Sequence, residues 1–189
     1  MIKLKPMLNK EFVEGFELEK FKNMHSFSEQ IRYANEKLQR ITSGSSRIIY
    51  KIDDNRVLKL AKNKKGLEQN QVEADYLLNK WYSDIIAPVL EYDNDYRWIV
   101  SRYAKKISPS RFKELVGVDI KDFFYQLVKD TQDNIRMLPT PSKEVEKILH
   151  DENNKFYHSL CDMIVNFDMH IGDFQRINTF GEIDGHIDR

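Results

Sequence analysis

The 189-residue sequence predicts an α+β fold, in which a small antiparallel sheet with one helix precedes a helical half and extra helices precede both. Short β-branched runs concentrate between residues 41 and 101. Apolar residues recur at helical spacing after residue 110 and again before residue 40. We therefore predict an N-terminal helical extension at 1–40, a sheet-bearing lobe at 41–101 and a helical lobe at 102–189.

Composition and charge argue against a membrane-inserted protein and against a nucleic-acid-binding protein. No apolar run approaches the ~20 residues that a bilayer span requires, and the first residues lack the apolar region of a signal peptide. We therefore expect no membrane insertion and a cytoplasmic location. The 30 Lys and Arg residues balance the 30 Asp and Glu residues. Because a formal charge of zero gives no long-range attraction to a phosphate backbone, nucleic acid is an unlikely partner.

The N-terminal segment is predicted to form one or two amphipathic helices. Residues 11–39 contain no proline, and the pair Ser26 and Glu29 has the spacing of a helix-capping box. The apolar residues at helical spacing are Phe12, Phe16, Phe21, Phe27, Ile31 and Leu38. They should pack on the sheet lobe of the same chain, bracing the helix of Glu73, or on a second copy or another protein. The short connection at Arg40 favours the same chain.

The sheet lobe is predicted from two strand pairs with a helix between them. The first pair is Arg47–Ile52 with Arg56–Leu60, and the second is Ile86–Tyr92 with Tyr96–Ser101. A helical pattern covers Gly66–Tyr82. The predicted order is therefore two strands, one helix and two strands.

The C-terminal half is predicted to be helical. Helical patterns cover Phe112–Met137 and Ser142–His170, and the proline-containing segment Leu138–Pro141 divides them. The polar segment Ser101–Ser110 is the predicted hinge before this half. Beyond Arg102 we expect almost no β structure.

Three features of the sheet lobe suggest phosphate binding. The small-residue turn Thr42–Ser46 would let backbone amides approach phosphate oxygens at Gly44, although an ordinary hairpin turn has the same pattern. Strand alternation places Lys59 opposite its apolar neighbours, so it points either inward to a counter-ion or a phosphate, or outward to solvent. Glu73 on the next helix is either that counter-ion or a solvated helix residue.

A fourth feature lies near the C-terminus. Asp173 and Asn178 are five residues apart in a loop that follows a long predicted helix. Such a loop can direct a carboxylate toward an attacking hydroxyl while an amide oxygen holds a divalent cation. Turn formation alone would also place an aspartate and an asparagine here.

These features occur in the order of the protein kinase signature set. They lie at Thr42–Tyr50, Val57–Lys59, Glu73 and Gly172–Asn178. From about Ile41 to Arg189 the chain resembles the protein kinase and aminoglycoside phosphotransferase-like superfamily, and it is similar to minimal kinase-like proteins of bacteria and phages. The resemblance implies a protein-kinase-like fold with a truncated helical C-lobe.

The same resemblance implies ATP and magnesium as cofactors, and a protein or a small molecule as phosphate acceptor. It implies nucleotide-binding roles for Gly44, Ser45, Ser46, Lys59, Glu73, Ser101 and Tyr103. Lys59 resembles the strand lysine that grips the phosphates, and Glu73 resembles its helix partner. Asp173 resembles the catalytic base, and Asn178 and Asp188 are the implied metal ligands.

The chain also departs from the family pattern. Thr42 and Arg47 stand where the first and third loop glycines are expected, so Arg47 either contacts a phosphate or blocks it. The Gly172–Asp173 pair is closer to small-molecule kinases than to protein kinases. The Asp-Phe-Gly motif is absent, which leaves Asp184 and Asp188 as candidates for its aspartate. Two functions follow: an ATP-dependent phosphotransferase, or a catalytically inactive pseudokinase that binds nucleotide or protein.

Overall fold

The computed structural model describes residues 15–75, 81–82, 85–132, 139–167 and 169–188. The chain divides into two compact units. The first comprises Met1–Ala74 and Val89–Tyr103, and the second comprises Asp75–Pro88 and Ala104–Arg189. The predicted fold class is confirmed, because a five-stranded antiparallel sheet with helices is accompanied by a mainly helical part.

The first unit contains three helices and a five-stranded sheet among its described residues. Its elements are α1 (Leu18–Lys22), α2 (Phe27–Lys37), β1 (Gln39–Ser43), β2 (Arg47–Lys51), β3 (Arg56–Ala61), α3 (Lys64–Glu73), β4 (Val89–Tyr92) and β5 (Trp98–Arg102). The strand order is β1-β2-β3-β5-β4, and every neighbouring pair is antiparallel. β4 begins at Val89 rather than at Ile86, because Ile86 is buried in the core of the second unit.

A capping box begins α2, as its sequence predicts. The Ser26 hydroxyl accepts a hydrogen bond from the Glu29 amide at 3.2 Å, and the Glu29 carboxylate accepts one from the Ser26 amide at 3.3 Å. Two amides that the helix cannot satisfy internally are thereby paired. Of the two serines considered at this position, Ser26 is the cap.

The N-terminal helices pack on the sheet of their own chain. The core of this unit joins Phe21, Tyr33 and Ala34 to the sheet residues Ile48, Tyr50, Leu58, Leu60, Trp98 and Val100. Alternation along β3 puts Lys59 on the opposite face, where α3 packs against β3. The helices therefore brace the sheet on the face opposite Lys59. The prediction that they brace the helix of Glu73 is wrong.

Phe21 provides a test of this packing. Its side chain is fully buried, and its ring meets the Trp98 ring edge to face at a centroid distance of 5.7 Å. We expect Phe21→Leu to lower the free energy of unfolding by about 1–2 kcal/mol, because volume and an aromatic pair are lost. Thermal melts at two protein concentrations should show the same loss, with the exposed His25→Ala as control. A loss that depended on protein concentration would instead indicate packing between two copies.

The second unit is mainly helical. Its elements are β6 (Lys105–Lys106), α4 (Pro109–Val116), α5 (Ile120–Thr131), α6 (Lys143–Leu149), α7 (Lys155–Asn166), β7 (Gly181–Ile183) and β8 (His186–Asp188), with 3-10 turns at Ile171–Gln175 and Ile177–Thr179. β7 lies between β6 and β8, and both pairings are antiparallel. The expectation of almost no β structure beyond Arg102 did not include this sheet, because strands of two or three residues are too short to show an alternating pattern.

Each long helix predicted in this half is interrupted. Gly117 ends α4 with a left-handed φ of 89°, and Asp119 then caps α5. The second predicted helix contains α6 and α7, and Asn154 caps α7 by accepting a hydrogen bond from the Tyr157 amide at 3.1 Å. Residues 133–138 of the first prediction lie outside the described residues.

One carboxylate links three of these helices. Asp130 of α5 accepts hydrogen bonds from the Tyr157 hydroxyl at 2.7 Å and from Gln126 at 3.0 Å, and it meets His150 Nε2 at 2.7 Å. Burial raises the Asp130 pKa, but these three partners outweigh burial and keep the pKa below its ordinary value. The link holds α7, which leads into the 3-10 turns.

Candidate active site

Lys59 and Glu73 form an ion pair on one face of the five-stranded sheet. Lys59 Nζ lies 2.6 Å from Glu73 Oε2, and the two side chains are 15% and 31% exposed. β3 supplies the lysine, and the last residue of α3 supplies the glutamate. Of the two orientations considered for Lys59, the structure has the inward one with a carboxylate as counter-ion.

Arg47 is a second cation on the same carboxylate. Its Nη1 lies 2.6 Å from Glu73 Oε1 and donates to Asn70 Oδ1 at 3.2 Å, and its side chain is 17% exposed. Asn70 is fully buried and donates to the Tyr96 carbonyl at 2.8 Å. Asn70 was not among the predicted site residues, although its position three residues before Glu73 places both on one face of a helix.

The cluster of Arg47, Lys59 and Glu73 carries one positive charge in excess. Burial raises the Glu73 pKa, but Lys59 and then Arg47 outweigh burial and lower that pKa to about 2. The carboxylate is therefore ionised at neutral pH, and it compensates only one of the two cations. Such a cluster attracts an anion more strongly than a balanced ion pair does.

The turn at Gly44, Ser45 and Ser46 is attached to the beginning of α3. The Gly44 amide donates to the Arg47 carbonyl at 3.0 Å, as in an ordinary hairpin turn. Four further hydrogen bonds attach the turn to residues 62–69: Lys62 Nζ to the Gly44 carbonyl (2.8 Å), Asn63 Nδ2 to the Ser45 carbonyl (3.0 Å), the Lys62 amide to the Ser46 carbonyl (2.7 Å) and Ser46 Oγ to Gln69 Oε1 (2.7 Å). This turn is held in place by α3.

Gly66 permits the close approach of the turn and α3. A Cβ atom at Gly66 would lie 2.3 Å from the Ser46 carbonyl oxygen and 3.0 Å from Ala61 Cα, whereas at Gly44 the nearest atom would be 4.0 Å away. Gly44 was therefore the wrong choice as the glycine of close approach, and Gly66 holds that position. The signal for Gly66 is a glycine inside a helical pattern in a chain with only 7 glycines.

This contrast predicts opposite outcomes for two alanine substitutions. We expect Gly66→Ala to lower the free energy of unfolding by about 1–3 kcal/mol, because backbone atoms must move apart. Gly44→Ala should change it by less than about 0.5 kcal/mol, because there is space for the methyl group. Urea denaturation of the two variants measures the difference. Equal stabilities would show that the turn is not held against α3.

The predicted adenine-binding residues lie at the end of β5. Ser101 is fully buried, and its hydroxyl has no hydrogen-bond partner among the described residues. The Tyr103 amide donates to the Asn55 carbonyl at 2.8 Å, and Lys51 Nζ lies 5.6 Å from the centre of the Tyr103 ring. The Tyr103 amide is therefore already paired, whereas the buried Ser101 hydroxyl lacks a hydrogen-bond partner among the described residues.

Asp173 lies in the second unit, in the first 3-10 turn, and its side chain is exposed. The backbone around it is held on both sides. The Asp173 amide donates to the His170 carbonyl at 3.0 Å, and the Thr179 hydroxyl donates to the Asp173 carbonyl. Phe174 is fully buried, with its ring 6.3 Å from that of Phe180. An exposed carboxylate on a fixed backbone suits a general base.

The two implied metal ligands lie in the second 3-10 turn and in β8 of the second unit. Asn178 is exposed in the second 3-10 turn, and three residues later Gly181 is the register partner of Asp188. Asp184 lies in the β7–β8 turn with φ of 52°. Among the described side chains, no three His, Cys, Asp or Glu residues form a metal-binding group. The assignment of Asn178 and Asp188 as magnesium ligands therefore stays a prediction, and the side chain of Asp188 lies outside the described part of the structure.

No family model matches the chain, and comparison with curated proteins gives no match. Solved structures similar to it include the streptomycin–ATP–APH(2″)-IIa ternary complex of an aminoglycoside phosphotransferase. The identity is 14% and the TM-score is 0.37, over 87% of this chain and 69% of that one. None of the described helices has the length and apolar character needed to cross a membrane.

Proposed function

We propose that this chain is an ATP-dependent phosphotransferase of the cytoplasm with a kinase-like fold. The observation that carries the proposal is the Lys59–Glu73 ion pair at 2.6 Å, on a sheet face where Arg47 adds an excess positive charge. A polyphosphate is the anion that this arrangement suits. The acceptor is a protein or a small molecule, and the Gly172–Asp173 pair favours a small molecule.

In the proposed reaction Glu73 holds Lys59 against the phosphates, and Ser101 and Tyr103 contact the adenine. Asp173 takes the proton of the acceptor hydroxyl as its oxygen bonds to the γ-phosphorus. The bond from that phosphorus to the bridging oxygen breaks, and ADP leaves. Asn178 and Asp188 would hold magnesium, which supplies positive charge to the transferring phosphoryl group.

A pseudokinase is the second candidate. The observation that favours it is the attachment of the Gly44 turn to α3, together with an arginine where the family has a glycine. In this alternative the chain binds nucleotide or another protein without transferring a phosphate. The exposed polar side of α2, which includes Arg32 and Glu36, is the proposed contact surface for a protein partner.

Thermal melts and a transfer assay separate these candidates. Mg-ATP at a hundredfold excess over its dissociation constant should stabilise the protein by about 2.7 kcal/mol, because it binds only the folded state. Lys59→Met should remove most of this stabilisation, and adenosine should give little. Transfer of labelled γ-phosphate to candidate acceptors identifies the enzyme. Stabilisation without transfer indicates the pseudokinase, and no stabilisation at millimolar Mg-ATP contradicts nucleotide binding.

A further inference from the structure

We propose that Arg47 is a second phosphate-binding cation, which binds the same polyphosphate as Lys59. It takes the place of a flexible loop that folds over the phosphates. This inference rests on the proposed nucleotide site and adds a specificity-determining residue to it. The family resemblance gives Arg47 no role, because a glycine is expected at that position. Three properties of Arg47 support this role: its position on the sheet, its unpaired N–H groups and its positive charge.

The strand register fixes the position of Arg47 relative to Lys59. Arg47 is the first residue of β2, and two residues later Ile49 pairs directly with Lys59 of β3. Residues two apart in a strand share a face, so Arg47 and Lys59 lie on the same face of the sheet. Both reach Glu73, whose two carboxylate oxygens are each 2.6 Å from one cation.

The contacts that hold the Arg47 guanidinium leave some of its N–H groups free to bind a ligand. Its contacts with Glu73 and Asn70 both use Nη1. Within the described residues, no hydrogen-bond acceptor meets Nη2 or Nε of Arg47. A guanidinium has five N–H groups in a fixed plane, and it binds phosphate oxygens in pairs. Because Asn70 and Glu73 fix this plane, the remaining N–H groups are oriented before a ligand arrives.

The charge of the cluster also favours an anion, because Glu73 is the one carboxylate that pairs with Arg47 and Lys59 among the described residues. Arg47 and Lys59 are largely removed from solvent, at 17% and 15% exposure, and share one carboxylate. A partly buried cation without full compensation is costly. A phosphate group would supply the missing negative charge, and polyphosphate would supply more than one. The ligand class is therefore a nucleoside di- or triphosphate rather than a nucleoside.

The attached turn explains why an arginine would be needed. A glycine loop binds phosphate with backbone amides after folding over it. Here the turn carbonyls of Gly44, Ser45 and Ser46 are bonded to Lys62 and Asn63 at 2.7–3.0 Å. A turn held in this way does not close over a ligand. We infer that the rigid start of β2 provides the contact instead.

Calorimetric titrations of ATP, adenosine and inorganic triphosphate test this inference. Arg47→Gln should weaken ATP and triphosphate binding about 10- to 100-fold, as expected for loss of a charge-assisted contact. Adenosine affinity should not change. Arg40→Gln makes the same charge change at an exposed position of β1, opposite Tyr50 of β2, and it should change every affinity less than about twofold. Arg47→Lys keeps the charge but loses the planar fork, and should give an intermediate loss.

The outcomes distinguish this inference from the proposed function. ATP and triphosphate binding to Arg47→Gln as strong as to the unchanged protein, or stronger, would overturn the inference; the Lys59 site would remain, with Arg47 only supporting Glu73 or blocking the site. Triphosphate binding that depends on Arg47 without any ATP binding would support the inference and refute the proposed function. No binding of either ligand would overturn both. If Arg47→Gln does not fold, Arg47→Lys decides, because full triphosphate affinity in it would overturn the inference.

Discussion

Replacing Asp173 with asparagine is expected to lower the rate of phosphoryl transfer about 10²- to 10⁴-fold, because the general base is removed. The side chain is exposed on a backbone held by Phe174, so asparagine fits without disturbing the fold. ATP affinity should stay within about twofold, because the proposed base contacts the acceptor and not the nucleotide. Single-turnover rates and nucleotide titrations of the same protein measure both quantities.

Asp151→Asn is the matched control for this substitution. Asp151 is an exposed aspartate of the same unit, and its Oδ1 accepts a hydrogen bond from the Asn153 amide at 2.9 Å, which an asparagine oxygen accepts equally well. The control should keep most of the transfer rate. An unchanged rate in Asp173→Asn would remove Asp173 as the base, and an equal loss in both variants would indicate a general effect of charge.

Replacing Glu73 with glutamine is expected to lower the free energy of unfolding by about 3 kcal/mol, because two largely buried cations lose their shared carboxylate. Glu68→Gln is the control on the same helix. Glu68 is 60% exposed, and its carboxylate lies 3.8 Å from Lys64 Nζ. An exposed pair of this kind contributes less than about 0.5 kcal/mol. Denaturant titrations at neutral pH compare the two variants.

The pH dependence identifies the carboxylate as the cause. The Glu73 pKa is lowered from 4.5 to about 2, so its stabilisation is fully present above pH 4.5 and is lost as the pH falls toward 2. The stability difference between the unchanged protein and Glu73→Gln should therefore shrink over that interval. A difference that stayed constant from pH 7 to pH 2 would show that the ion pairs do not cause it.

Local residue patterns were sufficient for the type of most elements. Strand alternation around Lys59, the Ser26 capping box and the β2–β3 hairpin all depend on residues close in sequence, and all were predicted. The fold class follows from these local signals. The ends of the elements were predicted less accurately. Gly117 ends one helix through its own backbone conformation, and Asn154 begins another through a capping contact.

The candidate site depended on contacts between distant parts of the chain. The sequence suggested Lys59 and Glu73 as partners through family resemblance, but a solvated pair fitted the pattern equally well. Packing of α3 on β3 brings the two together, and the same packing places Arg47 and Asn70 beside them. The spacing of residues 47, 59 and 73 in the sequence does not indicate that Arg47 and Lys59 share the Glu73 carboxylate.

The role of the turn was likewise decided by tertiary structure. Gly44 appeared important because small residues surround it, but the close contact is at Gly66, where the Ser46 carbonyl approaches α3. Periodicity reports which face of an element is apolar, and it contains no information on which distant backbone will approach that face. Helices, strands and caps were therefore readable from neighbouring residues, whereas the shared carboxylate and the attached turn arise only when β2, β3 and α3 pack together.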